Sequence, residues 1–244
     1  MTFVVNSAID DGIALDPARN ILDLQGPNPP ALTLRQAITD ANYDAMTNGG
    51  SETITFKIGS GKQSISLAAA LPEVTAPVTI DGTTQQGIPG SPLIWIDGRG
   101  VDADGLTLKG DSSWIKGIGI TGFGRSGVVL VSSSNTVGGA LPGQGDVISG
   151  NTGNGIVVEG HDNTIQGNRI GTDPAGSMSM SNGGDGIFAM GLANNLRITG
   201  NVISANGGDG MTLDGASGVL VSGNFIGTNA AGTAIADAGG NNLG

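Results

Sequence analysis

Short stretches in which apolar and polar residues alternate dominate this chain, and one of them occurs twice. The sequence reads TIQGNRIGTD at 164–173 and LVSGNFIGTN at 220–229. Both copies contain an apolar residue, a polar residue, and then Gly, Asn, a variable residue, Ile and Gly. Alternation with a period of two, bounded by Gly, is typical of short β-strands that end in tight turns. The repetition predicts that one strand-and-turn unit is used many times.

The alternating pattern recurs along the chain from residue 105. A first strand phrase, which begins with Gly, occurs at 105–110, 127–132, 155–160, 186–191 and 210–215. A second strand phrase follows each of these and is centred on Ile115, Val137, Ile165, Ile198 and Val221. The shortest spacings give a repeat of 22–23 residues, and the segments 139–145 and 173–182 are insertions. A regular period of this size indicates a solenoid.

Each repeat is too short to bury its apolar face alone, but coils stacked on one another bury it continuously. Since no helix interrupts the repeats, we predict an all-β fold, a parallel β-helix with strands about 4.8 Å apart. The inward-facing residues of the first phrase are then Leu106 and Leu108, Val128 and Leu130, Ile156 and Val158, Ile187 and Ala189, and Met211 and Leu213.

The first part of the chain contains the one convincing helical pattern. Its apolar face consists of Leu34, Ala37, Ile38 and Ala41. Thr33, followed three residues later by Gln36, fits a capping box. We predict a capping region over 1–50 with a helix over about 33–47, and β-helix coils over 51–244, together one structural domain. Strands are also predicted at 53–58, 64–67, 78–82 and 93–98.

Polar residues at one bend of each coil form a predicted column. Stacking the repeats places Asp146, Asn168, Asn201 and Asn224 above one another. Gly and Asn suit the bend because Gly adopts positive φ without cost and Asn tolerates it. Stacked amide side chains can hydrogen-bond along the column, as Asn ladders do in cross-β assemblies. The repeated phrase therefore predicts shape, with a structural ladder at its centre.

Composition and charge exclude several function classes. The chain has 244 residues, of which 45 are Gly, and it carries a net charge of −11. No basic surface could neutralise phosphates, so nucleic-acid binding is not expected. With no Cys, there is no disulfide, thiol nucleophile or Cys-type zinc site. No apolar run approaches the roughly 18 residues of a membrane helix, so we expect no membrane insertion, and the pattern of MTFVVNSAIDDG is not the one expected of a signal peptide.

The stretches LTLRQAITDAN, LPEVTAPVTIDGTTQQG and GNRIGTDPAG resemble those of bacterial secreted or cell-surface right-handed parallel β-helix proteins. Many of these begin with a capping segment of the type Ser-Leu-Arg-Glu-Ala-Ile, which corresponds here to the residues 33–38. The resemblance implies a right-handed, single-stranded β-helix with an N-terminal capping helix, in the pectin-lyase-like superfold. That superfold includes pectate lyases, polygalacturonases and epimerases as well as adhesins, so it does not choose a function.

Two carboxylates are candidates for a metal site. Asp185 and Asp209 each stand directly before the Gly that opens a first strand phrase, on adjacent coils. Two carboxylates about 5 Å apart repel each other, share a proton or bind a cation such as Ca²⁺. The alternative is that each forms a local turn with its own backbone, because Ser126 and Asn154 occupy the same slot. Beyond this Ca²⁺ site we expect no cofactor.

An apolar stripe is predicted on the outer face of the first strand phrases. Its members are Val129, Val157, Phe188 and Met190. Burying a Phe side chain contributes roughly 2–3 kcal/mol, so we expect this stripe to be covered. The cover is either a segment of the same chain, from 93–95 or 173–182, or a neighbouring molecule. The stripe is thus the candidate ligand or interface surface.

The last residues predict an open end to the solenoid. Residues 227–244 align with 171–188, so that Leu243 falls where Ile187 begins a coil. An uncapped end exposes apolar core and unpaired strand edges. We expect either a segment of a longer protein, whose further repeats stack on this end, or a second copy that does so.

No catalytic constellation is evident in the sequence. His161 is the only histidine and is interpreted as an exposed turn residue, and Arg125, Arg169 and Arg197 lie in separate repeat slots. We therefore predict an extracellular or cell-surface module, with a structural or adhesive role and no catalysis, that contacts surface glycans or proteins. The alternatives are a carbohydrate-active lyase, hydrolase or epimerase, and a self-assembling fibre subunit. An enzyme would bring carboxylates and a basic residue into one cleft.

Overall fold

The computed structural model describes residues 1–18, 30–88 and 90–233, which form one helix of regular length and twenty short strands. The helix α1 is Leu34–Asn48, and a single 3₁₀ turn spans Gly82–Thr84. The first ten strands are β1 Thr2–Val5, β2 Glu52–Phe56, β3 Gln63–Ser66, β4 Val78–Asp81, β5 Ile94–Asp97, β6 Leu106–Leu108, β7 Trp114–Lys116, β8 Ile118–Thr121, β9 Val128–Leu130 and β10 Thr136–Gly138. The others are β11 Val147–Ile148, β12 Ile156–Val158, β13 Thr164–Gln166, β14 Arg169–Ile170, β15 Ile187–Met190, β16 Arg197–Thr199, β17 Val202–Ile203, β18 Met211–Asp214, β19 Leu220–Ser222 and β20 Phe225–Ile226.

The strands form three parallel sheets that run along the long axis of a right-handed β-helix. The first sheet has the order β1-β2-β4-β7-β10-β13-β16-β19. The second sheet has the order β3-β5-β8-β11-β14-β17-β20, and the third has β6-β9-β12-β15-β18. From β6 onward each coil contributes one short strand to each sheet, so the chain turns three corners per coil, whereas β1–β5 belong to the first and second sheets only. The predicted fold class is confirmed.

Residues one repeat apart lie directly over one another, as the spacing predicts. In the first sheet Ile165 pairs with Val137 on one side and with Ile198 on the other, and Ile198 pairs with Val221. In the third sheet the predicted inward residues also pair from coil to coil. The central members of both columns are fully buried. Short apolar runs therefore become a continuous aliphatic core once the coils stack.

The helix α1 covers the N-terminal end of this core with the four apolar residues that its periodicity predicts, all fully buried. The Thr33 side chain accepts a hydrogen bond from the Gln36 N–H at 3.1 Å. The Gln36 side chain instead donates to Asp40 Oδ1 at 2.7 Å and to the Leu15 carbonyl at 3.3 Å. Only half of the predicted capping box forms, because the neighbouring segment supplies other partners for the Gln36 amide.

The capping region also contains a strand that the sequence pattern did not predict. Strand β1 pairs in parallel with β2, with Phe3 opposite Ile54 and Val5 opposite Phe56. Phe3 and Val5 are buried in the core beneath α1. The first sheet therefore extends into the predicted cap, and the N-terminal residues form its outermost strand.

The Gly of the repeated Gly-Asn phrase takes the positive-φ backbone conformation, as predicted. Gly167 has φ of 72° and Gly223 has φ of 65°. The Asn that follows is not among the described residues with positive φ. Since Gly makes the bend alone, the Asn side chain is free to point into the coil.

No helix among the described residues is long and apolar enough to span a bilayer.

Candidate functional site

A ladder of polar side chains fills the corner between the first and second sheets. The backbone N–H of each member donates to the side chain of the next, from Asp146 to Asn168, from Asn168 to Asn201 and from Asn201 to Asn224, at 2.9 Å each. Each Asn amide also donates to a backbone carbonyl of the preceding coil: Asn168 to Val137, Asn201 to Ile165 and Asn224 to Ile198. The predicted ladder is present, and it satisfies the corner's buried backbone groups.

Asp146 is the exception in this ladder, because it is a carboxylic acid at a position that Asn occupies in the later coils. It is fully buried, and its Oδ1 accepts the Ile118 N–H at 2.8 Å. Its Oδ2 is buried with no hydrogen-bond partner among the described residues. Burial raises the pKa of Asp146 to about 7, with the neighbouring charge of Asp81 acting in the same direction. Near neutral pH this acid therefore stands at the midpoint of its titration.

The other two corners carry ladders that the sequence analysis missed. Between the second and third sheets, the Asn151 N–H donates to Asn182 Oδ1 at 3.1 Å, and Asn182 Nδ2 donates to Asn206 Oδ1 at 2.9 Å. Between the third and first sheets, the Asn135 N–H donates to Asn163 Oδ1 at 2.8 Å. All five side chains are buried. A signal was available, because Asn151, Asn182 and Asn206 each stand four residues before the Gly that opens a third-sheet strand.

Asp185 and Asp209 lie on adjacent coils, as the repeat predicts, but their arrangement is that of a fourth ladder. The Asp209 N–H donates to Asp185 Oδ1 at 2.9 Å, and the Asp185 N–H donates to Asn154 Oδ1 at 2.7 Å. These bonds join successive coils, whereas the alternative in the sequence analysis placed them within one turn. The residues that the structure describes contain no group of three His, Asp or Glu side chains suited to a metal ion. Calcium binding here stays a prediction.

The apolar stripe lies on the outer face of the third sheet, where Val129, Val157 and Phe188 occupy paired positions. Val129 and Val157 are each only 9% exposed, Phe188 is half-buried, and Met190 is 38% exposed. The two suggested internal covers lie elsewhere. Trp95 is in β5 of the second sheet, and the 173–182 insertion lies beside Arg169 of that same sheet, with Gly176 next to the Arg169 side chain. Both segments lie at the second sheet because of their position in the sequence. Residues 93–95 lead into β5, and the 173–182 insertion follows β14.

Loops cover the outer face of the second sheet and leave a cavity of about 380 Å³. Its walls are the segments 90–92, 139–143 and 145–147, which includes the ladder residue Asp146, together with Gly167, Pro174 and Gly200, and Arg169 lies in it. The buried neighbours of Arg169 in the sheet are Val147 and Val202. Sequence reasoning missed this cavity because segments far apart in the chain build it.

Arg169 is half-buried in this cavity, and its Nε has no hydrogen-bond partner in the described part of the chain. Burial lowers the pKa of its guanidinium, against the opposing attraction of Asp173. The Asp173 carboxylate accepts hydrogen bonds from the backbone N–H groups of Ser177 and Met178 at 2.7 and 2.9 Å. Asp173 forms no ion pair with Arg169, because its carboxylate is held by these hydrogen bonds within the insertion.

Two other charged pairs contain side chains that could act as acids or bases. Lys116 and Asp81 form an ion pair at 2.9 Å, and the Lys116 ammonium also lies 4.2 Å from the Trp114 ring centroid. His161 Nδ1 lies 2.7 Å from Asp162 Oδ2 on an exposed turn, as the sequence predicts. This contact with His161, together with a bond from Asn195, lowers the pKa of Asp162. The predicted site residues thus lie in three separate places: a corner ladder, an acidic ladder and an outer stripe.

Comparison with known proteins identifies the fold. A family model described as a right-handed β-helix region matches residues 104–243. Among solved structures, the crystal structure of pectate lyase Pel9A is similar, with 17% sequence identity and a TM-score of 0.44. The similarity covers 84% of this chain and 54% of that one, so the chain spans about half the length of the lyase. No curated protein matches the chain.

Proposed function

We propose, from the premise that the chain belongs to the family of right-handed β-helix regions, that it is a non-catalytic scaffold which works outside the cell or on its surface. Ladders of hydrogen-bonded side chains at all three corners carry this proposal. In these ladders the buried polar side chains form hydrogen bonds to the neighbouring coils, and these bonds keep the coils in register. Such a rod keeps its shape and presents its insertions and outer faces at fixed positions.

The charged groups support a structural role rather than catalysis. Asp146 Oδ1 is occupied by the Ile118 N–H, and the acid is inaccessible to solvent. Lys116 and Asp81 neutralise each other. A general acid or base must reach the proton that it transfers, directly or through one water. A fully buried ladder member does not meet that requirement.

We propose that the apolar stripe on the third sheet is where the scaffold contacts a protein or glycan at the surface. Phe188 and Met190 are the accessible part of the stripe, and Val129 and Val157 continue it as a buried floor. A second proposed contact is the stacking of further repeats, or of another copy, on the coil that contains β18, β19 and β20. Val221 in that coil is 41% exposed, whereas Ile198 below it is fully buried.

A polysaccharide turnover assay tests the scaffold proposal. The folded protein is incubated with acidic and neutral polysaccharides, with Ca²⁺ or with a chelator, and unsaturated products and new reducing ends are measured. We expect no turnover from wild type. Turnover that Lys116→Ala abolishes, while Lys57→Ala leaves it intact, would establish the carbohydrate-active enzyme instead. Lys57 is the matched control because it is exposed and no carboxylate of the described residues lies within 4 Å of it.

Two further measurements test the finer parts of the proposal. Sedimentation velocity at rising concentration distinguishes a monomeric scaffold from a self-assembling fibre subunit, since only the fibre grows end to end. For calcium, the midpoint of thermal unfolding is measured with Ca²⁺ and with a chelator. If Asp185 and Asp209 bind the ion, Ca²⁺ raises the midpoint of wild type, and Asp185→Asn removes the effect.

A further inference from the structure

We infer that the cavity over the second sheet is a binding site for a small oxyanion, a carboxylate or phosphate group, which pairs with Arg169. This site is separate from the scaffold role and from the stripe on the third sheet. Three observations carry the inference: the unpaired state of the guanidinium, its burial, and the shape of the space beside it.

Arg169 differs from the other cations of the described chain. Among them, four Lys or Arg side chains have no carboxylate within 4 Å: Lys57, Lys62, Arg169 and Arg197. Lys57, Lys62 and Arg197 are exposed, and water solvates their charges. Lys62 also lies over the Trp95 ring, 4.1 Å from its centroid. Among these four, only Arg169 is half-buried, and its nearest attracting acid, Asp173, does not form an ion pair with it, in a chain whose net charge is −11.

The surroundings of Arg169 hold its guanidinium in place but do not neutralise it. A Cβ at Gly176 would lie 3.0 Å from Nε, so the turn of the 173–182 insertion packs directly against the side chain. The only hydrogen bond found for the guanidinium within the described residues is a long one, 3.5 Å from Nη1 to the Asn168 carbonyl. A buried cation without a partner is costly, and the cost falls when an anion pairs with it.

The cavity determines the class of ligand. Its volume of about 380 Å³ is at the lower end of the range for small-molecule pockets. The backbone N–H groups of Gly167 and Gly200 already donate to Thr199 and Ser222. Recognition therefore falls to the guanidinium, which binds the two oxygens of a carboxylate or phosphate through its fork of donors. Arg169 is the one cation among the residues that line the cavity, and the acid Asp146 lies in the same wall, so we expect weak binding, with a Kd on the order of 1–10 mM.

The test uses acetate and inorganic phosphate as probes, with chloride at matched ionic strength as the blank. The nitrogen-15 and proton resonances of the Arg Nε–H groups are followed, and the Arg169 signal is assigned by its loss in Arg169→Lys. We expect this signal to shift and saturate, while the Arg197 signal does not. Saturation with acetate alone identifies a carboxylate ligand, with phosphate alone a phosphate ligand, and with both a general oxyanion site.

Thermal unfolding provides a second readout that does not depend on NMR assignments. The probe should raise the midpoint of wild type and of Arg197→Gln, and Arg169→Gln should weaken the apparent affinity about tenfold or more. The inference is overturned if the Arg169 signal moves no more than that of Arg197 at ten times the expected Kd. Should Arg169→Gln fail to fold, the resonance titration on wild type decides by itself.

Discussion

Replacing Asp146 with Asn should stabilise the protein, and the gain should grow with pH. At the equivalent slot of later coils, the amide Nδ2 donates both to a carbonyl of the preceding coil and to the next ladder oxygen, as Asn168 does to Val137 at 3.0 Å and to Asn201 Oδ1 at 3.0 Å. Asp146 Oδ2 occupies this slot and has no donor among the described residues to accept from. Only the protonated acid, or an amide, offers a hydrogen there.

The size of the effect follows from the pKa of Asp146, which burial raises from an ordinary 3.8 to about 7. Between these values the unfolded chain has released a proton that the native protein still holds, so stability falls as pH rises. Each unit of difference corresponds to about 1.36 kcal/mol, which gives a loss of about 4 kcal/mol above pH 7 and less than half of that near pH 5. An amide does not titrate in this range, so the Asp146→Asn variant escapes this loss.

Equilibrium unfolding in urea, followed by circular dichroism at about pH 5 and pH 8, measures the gain. We expect Asp146→Asn to be more stable than wild type at pH 8 by about 1–3 kcal/mol, below the full value because an amide is also desolvated, and to lose most of this advantage at pH 5. Asp185→Asn is the control, since Asp185 is also in a ladder but is partly exposed. An Asp146→Asn gain that is equal at both pH values, or absent, would refute the reasoning.

Two other substitutions test the packing of the coils by the same unfolding measurement. Asn201→Ala removes the amide that bonds Ile165 and Asn224 and should cost about 3 kcal/mol or more, because it leaves buried partners unsatisfied; a cost below about 1 kcal/mol would contradict a structural ladder. Gly119→Ala places a Cβ 2.4 Å from the Trp95 ring, so it should destabilise by about 1–3 kcal/mol and change Trp fluorescence. Gly191→Ala, with nothing of the described chain within 4 Å, should do neither.

The fold was predictable because the repeat length determines which strands of successive coils pair and in which register. A side-chain period of two and a repeat of 22–23 residues together require Ile165, Ile198 and Val221 to share one inward column. The helix α1 followed from its own apolar face. Strand β1 did not, because Thr2–Val5 is short and precedes the repeats, and only its pairing with β2 makes it a strand.

The site was less predictable, for reasons that differ between its parts. The ladder at Asn168 and Asn201 was visible because the same residue type recurs in one repeat slot. The cavity around Arg169 depends on how the loops at 90–92 and 139–143 fold over the second sheet, and insertions follow no repeat. The same limit explains why the 173–182 insertion was proposed to cover the stripe and instead lies over Arg169.

Paired cysteines test the stacking of the coils most directly, because the natural chain has no Cys that could interfere. Arg197 and Leu220 are exposed partners on adjacent coils, and Thr164 lies one coil further from Leu220. A disulfide spans Cα atoms up to about 7 Å apart, whereas residues two coils apart are about 9–10 Å apart. Under mild oxidation, Arg197→Cys with Leu220→Cys should form a disulfide in the native protein, and Thr164→Cys with Leu220→Cys should not. Equal yields from the two pairs, or none from the first, would contradict the stacked coils on which the scaffold proposal depends.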